Sequence, residues 1–394
     1  MTNDDYRRLA RELVDATHAA GGLAPVDLEK FWADQAIAGA DPFGAHIPQV
    51  AFGASLTGEC VYDELVIPED FWRYQHDDAW RLELHRAYND RAEKIVGRRL
   101  LNEIPRDRAR EYPGIKPLGE LFDAKNVWHD QSWWLEQSAH NETELATVLD
   151  GVERRLERPR EFFLPSDWPA ARERLTALGV KPPLYRSQRG PVTFAASIYG
   201  VENLLFLIVD NPPLAARLRD LILRGMLARA KVMDEEAGYT PASAPHGFSF
   251  ADDNCCLLTP AMYEEFALPI LKGIFDVYSP NPGDRRYQHS DSAMSHIVPI
   301  LGRLNLTGTN FGPTVTVAEI RRHLPQAVID GEMAPFTYSR NEAEGIVMEF
   351  LRDFNQTRRE RGLRFTTAGS INNGARLTSM RLAMAAVQRY GRYD

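Results

Sequence analysis

The sequence of 394 residues predicts an α/β protein with parallel strands, on the strength of two observations. From about residue 190 onward, short apolar strands alternate with helices that begin at capping residues or proline, which is typical of parallel sheets with helical crossovers. Before that point the sequence is rich in helical spacings and aromatic residues. The length accommodates a (β/α)8 barrel over residues 101–394 behind an N-terminal helical extension over residues 1–100, which is either part of the same domain or a lid.

The boundaries of the elements follow from apolar spacing and from caps. Helices are expected near residues 4–20, 25–38, 68–96, 212–236, 259–278, 293–301, 316–324, 339–362 and 378–391. Strands are expected near residues 125–129, 191–198, 248–253, 286–289, 304–310, 327–330 and 363–368. Thr316 with Glu319, and Ser339 with Glu342, predict two capping boxes. A doubly wound sheet is the alternative architecture, although no Gly-x-Gly-x-x-Gly follows an early strand.

Composition excludes several classes of function. The net charge of -9 argues against a nucleic-acid partner, because Lys and Arg are not in excess to neutralise phosphates. Three cysteines cannot build a disulfide framework, which favours a reducing compartment. No apolar run approaches the roughly 18 residues that cross a bilayer, and no secretory signal is recognisable. We therefore expect a soluble, cytoplasmic protein that has no membrane partner.

Polar and ionisable residues follow five successive predicted strands of the C-terminal half. Strand stability does not require them, since a barrel core is built from branched apolar side chains. Because the carboxyl ends of barrel strands form one rim, these residues predict an active site there. The candidates are Asp252, Asp253, His289, Asp291, Asn310, Asp330, Glu332 and Asn373.

Each candidate also has a structural interpretation. Asp252 and Asp253 could cap the next segment, and the turn sequence around Asn373 could serve chain reversal alone. His289 and Asp291 are alternate residues at a strand end, so their side chains face the same side and suit a shared ligand. The pair Cys255–Cys256 is interpreted as structural.

The C-terminal half resembles the uroporphyrinogen decarboxylase superfamily, which also contains methyltransferases that serve corrinoid proteins. The resemblance covers roughly residues 185–392 and implies a (β/α)8 barrel. It rests on Arg189-Gly190-Pro191, Phe250-Ala251-Asp252-Asp253, the segment from Thr259 to Phe266, Leu268-Pro269, Gln288-His289-Ser290-Asp291 and Ala368-Gly369-Ser370.

Two departures from the superfamily pattern bear on the reaction. The N-terminal Arg-Gln-Ala-Gly-Arg segment of true uroporphyrinogen decarboxylases has no counterpart here, which argues against uroporphyrinogen as the substrate. Thiol-directed methyltransferases bind zinc through His-x-Cys and a later Gly-Cys, and the matching positions are His289, Asp291 and Ser370. A carboxylate and a hydroxyl thus replace two thiolates, which favours a harder or borderline metal ion and argues against a thiol acceptor.

The resemblance therefore implies a methyltransferase that moves a methyl group from a small methoxy or methylamine-like donor to a corrinoid protein. A divalent metal, zinc or iron, would bind to His289, Asp291 and, as the third ligand, Glu332, with Asp253 as the alternative third ligand. Asp253 is interpreted as a general acid or an electrostatic anchor that Asp252 orients, and His289 as a metal ligand or a direct substrate contact. The expected partners are a small-molecule substrate, a corrinoid protein and a second copy in a homodimer. The residues expected to bind the substrate are Arg189, Asn310 and Asn373.

Two other classes of function stay open at this point. A decarboxylase or lyase without metal would use Asp252 or Asp253 to stabilise a cationic intermediate and Arg189 to orient a carboxylate. A binding paralogue without catalysis is the third class. Dependence of turnover on a corrinoid protein separates the methyltransferase from the lyase, and absence of turnover identifies the paralogue.

Overall fold

The structure is a computed structural model that describes residues 1–54, 56–371 and 373–393. The chain forms two compact units. The first unit contains Met1–Arg106, Ala293–Ser295 and Gly308–Asp394, and the second contains Asp107–Ser292 and His296–Thr307. Residues that precede position 107 thus share a unit with the C-terminal part of the chain.

The α-helices of the described residues, in chain order, are these: α1 Asn3–Ala19, α2 Leu28–Ala40, α3 Cys60–Leu65, α4 Phe71–His76, α5 Asp78–Val96, α6 Leu118–Leu121, α7 Glu142–Leu156, α8 Pro159–Phe163, α9 Trp168–Ala177, α10 Pro191–Tyr199, α11 Val201–Asp210, α12 Pro212–Glu236, α13 Pro260–Tyr278, α14 Val298–Leu301, α15 Val317–His323, α16 Pro335–Ser339, α17 Ala343–Thr357 and α18 Leu377–Tyr390. Short 3₁₀ helices cover Arg108–Arg110, Asp253–Leu257 and Gly302–Leu304. The strands are β1 Ala51–Phe52, β2 Asn126–His129, β3 Ser132–Leu135, β4 Ser187–Arg189, β5 Phe248–Ala251, β6 Arg286–Ser290, β7 Gly308–Phe311, β8 Val328–Asp330 and β9 Leu363–Phe365.

The first unit is built on the parallel strands β1, β9, β8 and β7, which are paired in that order. Helix α17 packs against β9, where the rings of Phe350 and Phe365 meet edge to face at 4.9 Å. Helix α1 packs against α17 and begins at a capping box between Thr2 and Asp5, which satisfies the first backbone NH groups. The N-terminal region thus contributes one strand and several helices to this unit.

The second unit contains the parallel strands β4, β5 and β6, paired in that order, and an antiparallel hairpin of β2 and β3. The two faces of β5 differ. Phe248 and Phe250 are buried and turn toward α13, where Phe250 meets Phe275 edge to face at 5.6 Å. Ser249 and Ala251 face the other side, because successive side chains of a strand alternate. The apolar core of this unit therefore lies on the helix side of the strands.

Most of the elements predicted for the C-terminal half are confirmed, and two predictions are wrong. Residues 191–198, predicted as a strand, form helix α10, and the strand lies before it at β4. Pro191 at the first helical position favours this helix, because proline has no NH to lose there. Ser339 ends α16 and does not cap α17, whose N-terminus has no side-chain cap. Of the box predicted at Thr316 and Glu319, the cap at Thr316 is confirmed, since its hydroxyl accepts from the NH of Glu319, whereas the carboxylate of Glu319 accepts from the Ser295 hydroxyl.

Among the described residues, no single helix is long and apolar enough to cross a membrane. Helices α10 and α11 meet the criterion of length and composition only as a pair, and this pair is bent by 105°.

Candidate active site

A cavity of about 830 Å³ lies along strands β4, β5 and β6, and all of its lining residues belong to the second unit. Its walls come from residues of the three strands and the segments next to them, from helix α10 and from the end of the β2–β3 hairpin. The lining side chains that can bind a ligand or take part in a reaction are Arg189, Asp253, Arg285, Tyr287 and His289, together with the indole of Trp134. A polar cavity along the inner side of these strands is not what a packed barrel core requires. It is the place where the second unit can bind a ligand.

Three of the predicted site residues meet at one end of this cavity. The ligand atoms of Asp253, His289 and Asp291 all lie within 4.8 Å of one another. His289 Nε2 is 3.4 Å from Asp291 Oδ1 and 4.0 Å from Asp253 Oδ1. One imidazole nitrogen and two carboxylates form a donor set that zinc and iron accept.

Backbone pairing explains why these three side chains come together. The parallel pairing of β5 with β6 continues past the end of β5, where the NH of Asp252 donates to the carbonyl of His289 at 2.9 Å. Asp253 therefore reaches the level of Asp291, and its Oδ1 accepts from the NH of Asp291 at 2.8 Å. This hydrogen bond fixes the orientation of the Asp253 carboxylate.

The Asp291 carboxyl has a raised pKa. Partial burial is the main cause, and the negative charge of Asp253 adds to it, while His289 opposes the shift. Two carboxylates beside one imidazole repel each other unless a proton or a cation lies between them. The site therefore favours a positively charged occupant.

Asp252 stands apart from this group, because its side chain is fully buried and takes another role. Its carboxylate accepts from the NH groups of Val192 and Thr193, at 3.4 and 2.7 Å, and so caps helix α10. Burial raises the pKa of Asp252 to about 6. A Cβ at Gly190 would lie 2.2 Å from the Asp252 Cβ, so only glycine allows this approach. The contacts of Asp252 thus support the structural interpretation, namely that it begins a helix beside the site.

Arg189, which the sequence predicts to bind the substrate, ends β4 and lines the cavity. Its Nη1 donates to the Ser197 hydroxyl of α10 at 3.0 Å, which holds the guanidinium along the cavity wall. Helix α10 is also joined to the 3₁₀ helix after β5 through the hydroxyl of Thr193, which accepts from the NH of Asn254. The cap at Asp252 and these two bonds together position the wall that carries Arg189.

The remaining predicted site residues belong to the first unit. Asn310 is buried and links three strand ends: its amide nitrogen donates to the carbonyls of Asp330 and Thr367, and its oxygen accepts from the NH of Gly369. Asn373 is exposed and donates to Glu69 at 2.9 Å. Neither residue lines the cavity of the second unit.

Glu332 also lies in the first unit and is only 1% exposed. Its Oε1 accepts from the NH of Phe311 at 3.4 Å, and its own NH donates to Asp353. Burial raises the pKa of Glu332 well above its ordinary value, and the charge of Asp353 raises it further. The group of three candidate metal ligands found in the described residues contains Asp253, His289 and Asp291. Glu332, the third ligand in the sequence prediction, is not in this group, and Asp253, the alternative, is.

Two cavity residues, Arg285 and Tyr287, were not among the predicted site residues. Tyr287 precedes His289 by two positions in β6 and so lies on its side of the strand, and Arg285, which immediately precedes β6, lines the same cavity. The prediction considered only residues at and after strand ends, whereas the cavity extends back along the strand. The alternation of side chains that placed His289 and Asp291 on one face of the strand could also have predicted Tyr287. Trp134 of β3 also lines the cavity, from the hairpin.

The sequence over residues 155–390 matches the family described as uroporphyrinogen decarboxylase (URO-D), a match that spans more than half of the chain. The chain belongs to the URO-D family. A comparison with curated proteins gives no significant match. Among solved structures, a methyltransferase from Methanosarcina mazei is similar, with a TM-score of 0.53 and 16% sequence identity, over 87% of this chain and 94% of that one.

Membership of the URO-D family confirms the resemblance on which the sequence interpretation drew. The family match, the likeness in fold and the parallel strands of the two units confirm the predicted class, an α/β chain of the (β/α)8 type. At 16% identity the structural likeness concerns the fold alone, so the reaction has to be argued from the site.

Proposed function

We propose that this chain is a URO-D-family methyltransferase that transfers a methyl group from a small methoxy or methylamine-like donor to the corrinoid of a partner protein. In this proposal Asp253, His289 and Asp291 hold a divalent metal ion, zinc or iron, at the end of the cavity. The observation that carries the proposal is the convergence of these three ligands beside a cavity that also contains Arg189.

The separations of the ligand atoms fit an ion. Bonds of about 2.0 to 2.2 Å place ligand atoms about 3.3 to 3.6 Å apart in a tetrahedral arrangement, and no more than about 4.4 Å apart in any arrangement. The pair of His289 and Asp291, at 3.4 Å, lies within the first range, and the pair of His289 and Asp253, at 4.0 Å, lies below the second limit. Three protein ligands leave a position for a substrate, as catalytic sites require.

The side chains divide the work between holding and orienting. A bound divalent cation would supply Lewis acidity toward the heteroatom that carries the methyl group. Asp253, His289 and Asp291 hold that cation, and the backbone bond from Asp291 to Asp253 keeps both carboxylates in place. Arg189, held by Ser197, orients an acidic or polar part of the donor.

A decarboxylase or lyase that uses no metal is the second candidate. It is favoured by the occurrence of Arg189 and Asp253 in one cavity, where a guanidinium can hold a carboxylate and an aspartate can stabilise a cationic intermediate. This candidate requires neither a metal nor a corrinoid protein, which makes the two functions separable by experiment.

The test begins with elemental analysis of the purified, untagged full chain beside the His289→Ala variant. The matched control is His246→Ala, because His246 Nδ1 also lies 3.0 Å from a carboxylate, that of Asp284, outside any group of three ligands. We expect about one zinc or iron per chain in the wild type and the control, and loss of that metal in His289→Ala.

The second step measures demethylation of methoxylated and methylamine-like donors with and without an added corrinoid protein. Metal binding together with corrinoid-dependent demethylation supports the proposal. Absence of metal from the wild type refutes metal assistance, and turnover of a carboxylated substrate without corrinoid establishes the lyase.

A further inference from the structure

The cavity extends well below the candidate metal ligands along the inner face of the strands. Strand register places Arg189, Ala251 and His289 in one row across β4, β5 and β6. The next row, two residues toward the strand starts, is formed by the hydroxyl side chains Ser187, Ser249 and Tyr287. All six residues line the cavity, whose floor is therefore polar.

Arg285 lies below the hydroxyl row, on the same side of β6. Its guanidinium carbon is 4.3 Å from the centre of the Tyr287 ring, a cation–π contact that holds the guanidinium along the cavity wall. Four residues of strand separate Arg285 from His289, which corresponds to about 13 Å between their backbones. Because the guanidinium lies over Tyr287, two residues from His289, the charge itself is between about 7 and 13 Å from the ligand group.

The exposed side chain of Arg285 has no acidic partner among the residues that the structure describes. Within the residues that the structure describes, neither Arg285 nor Arg189 forms a salt bridge, although the chain carries a net charge of -9. Other arginines of the second unit are paired, such as Arg186 with Asp234 at 2.6 Å. A guanidinium presents a fork of donors that matches a carboxylate. An unpaired one within a cavity therefore favours an anionic ligand.

We propose that Arg285 binds a carboxylate at the far end of the substrate. The substrate class is then an elongated acid, with the methylated heteroatom at Asp253, His289 and Asp291 and the carboxylate between about 7 and 13 Å away. The hydroxyl row between the two ends provides hydrogen bonds for polar atoms of the connecting chain. This inference rests on the proposed function, because that function assigns the reacting end.

Arg285 acts in this proposal as a specificity-determining residue. Loss of a charge-assisted hydrogen-bonded pair weakens binding by about 10- to 100-fold. The loss should appear only for ligands that carry the acid and are long enough to reach it. Lysine retains the charge but not the fork, so Arg285→Lys should weaken binding less than Arg285→Ala.

The experiment uses three probes with the metal-loaded full chain in titration calorimetry: methoxyacetate as a short acid, 8-methoxyoctanoate as a long acid, and 8-methoxyoctanol as its neutral analogue. The proteins are the wild type, Arg285→Ala, Arg285→Lys and the control Arg359→Ala, which removes an exposed arginine of the first unit. Far-UV circular dichroism checks that each variant is folded.

We expect Arg285→Ala to bind 8-methoxyoctanoate about 10- to 100-fold more weakly while its affinities for methoxyacetate and 8-methoxyoctanol stay unchanged. Equal affinity of the wild type and Arg285→Ala for the long acid would overturn the proposal, as would an equal loss for the neutral analogue or a wild type that binds neither acid. Metal content, measured on the same samples, tests the proposed function separately. If the wild type contains no metal and Arg285→Ala still binds the long acid more weakly than the wild type does, the carboxylate site is supported and the metal-assisted reaction is refuted.

Discussion

The strand ends of the two units carry similar polar residues but use them differently. In the second unit, Asp253, His289 and Asp291 are partly exposed and their ligand atoms converge beside a cavity. In the first unit, Asn310 and Glu332 are buried, and their side chains accept from or donate to backbone groups of neighbouring strand ends. The same kinds of residue at the same ends of parallel strands therefore form a candidate binding site in one unit and a structural network in the other.

This difference indicates that the position of a polar residue in a strand–helix pattern does not determine its role. A buried side chain whose donors and acceptors are satisfied by the backbone stabilises the fold and has little left for a ligand. A partly exposed side chain beside other ionisable groups can still contact a ligand. Variants in each unit should then show opposite effects on stability and on binding, and the following predictions are arranged from the largest effect to the smallest.

Substitution of Asn310 should give the largest loss of stability. Asn310→Ala leaves the buried NH of Gly369 and the carbonyls of Asp330 and Thr367 without the amide that links them. We expect the free energy of unfolding to fall by about 3 kcal/mol, because each buried polar group without a partner costs about 1 to 3 kcal/mol. Urea unfolding followed by circular dichroism measures this change.

Asn373→Ala is the matched control, since Asn373 is exposed and donates to the side chain of Glu69. Its free energy of unfolding should change by no more than about 0.5 kcal/mol. Equal stability of the two variants would contradict the structural role of Asn310 and reopen its assignment to substrate binding.

The buried acids of the first unit should make stability fall as pH rises. Burial raises the pKa of Asp353 to about 6, against the opposing effect of Arg352, so the folded state holds this proton more tightly than the unfolded chain does. Between about pH 4 and pH 6 the unfolded chain loses its proton first, and the folded state becomes less stable by up to about 3 kcal/mol. Asp353→Asn removes this contribution.

Urea unfolding of the wild type and of Asp353→Asn at a series of pH values measures the effect. The difference between the two free energies should change in favour of the variant as pH rises from about 4 to about 6, and then level off. Parallel curves over that range would show that Asp353 titrates equally in the folded and unfolded states.

Much of the fold could be predicted because strand and helix periods differ and because caps mark helix starts. Alternation of elements, the cap at Thr316 and the long helices of the C-terminal half are all local signals. The strand predicted at residues 191–198 failed because its apolar run suits a buried helix as well as a strand. The decisive contact comes from Asp252, about 60 residues later, whose carboxylate caps that helix.

The site could be predicted in part for a similar reason. Spacing alone joined His289 to Asp291, because alternate residues of one strand share a face. The addition of Asp253 required the register between β5 and β6, which local sequence does not specify. Glu332 and Asn310 differ from the site residues in being buried. Burial depends on packing between distant segments and cannot be predicted from residue type.

The contact between β4 and β5 should tolerate no side chain at Gly190. A Cβ there would lie 2.2 Å from the Asp252 Cβ, so Gly190→Ala must displace the capping carboxylate or the start of α10. We expect a loss of about 2 kcal/mol in the free energy of unfolding, in the range for overpacked positions. Gly283→Ala is the control, because its Cβ would meet nothing within 4 Å. A neutral Gly190→Ala would show that Asp252 can move away from the helix at little cost.

The smallest effect on stability should come from the residue next to that cap. Asp253→Asn keeps an oxygen that accepts from the NH of Asp291 and removes only a partly exposed charge, so we expect the free energy of unfolding to change by no more than about 0.5 kcal/mol. The same variant should lose bound metal, because an amide is a weaker ligand than a carboxylate for zinc or iron.

The adjacent Asp252→Ala should behave in the opposite way. Its free energy of unfolding should fall by about 1 kcal/mol or more, because the cap of α10 is lost, while the bound metal is retained. Urea unfolding and elemental analysis of both variants measure this reversal between neighbours, and loss of metal from Asp252→Ala alone would move the ligand from Asp253 to Asp252.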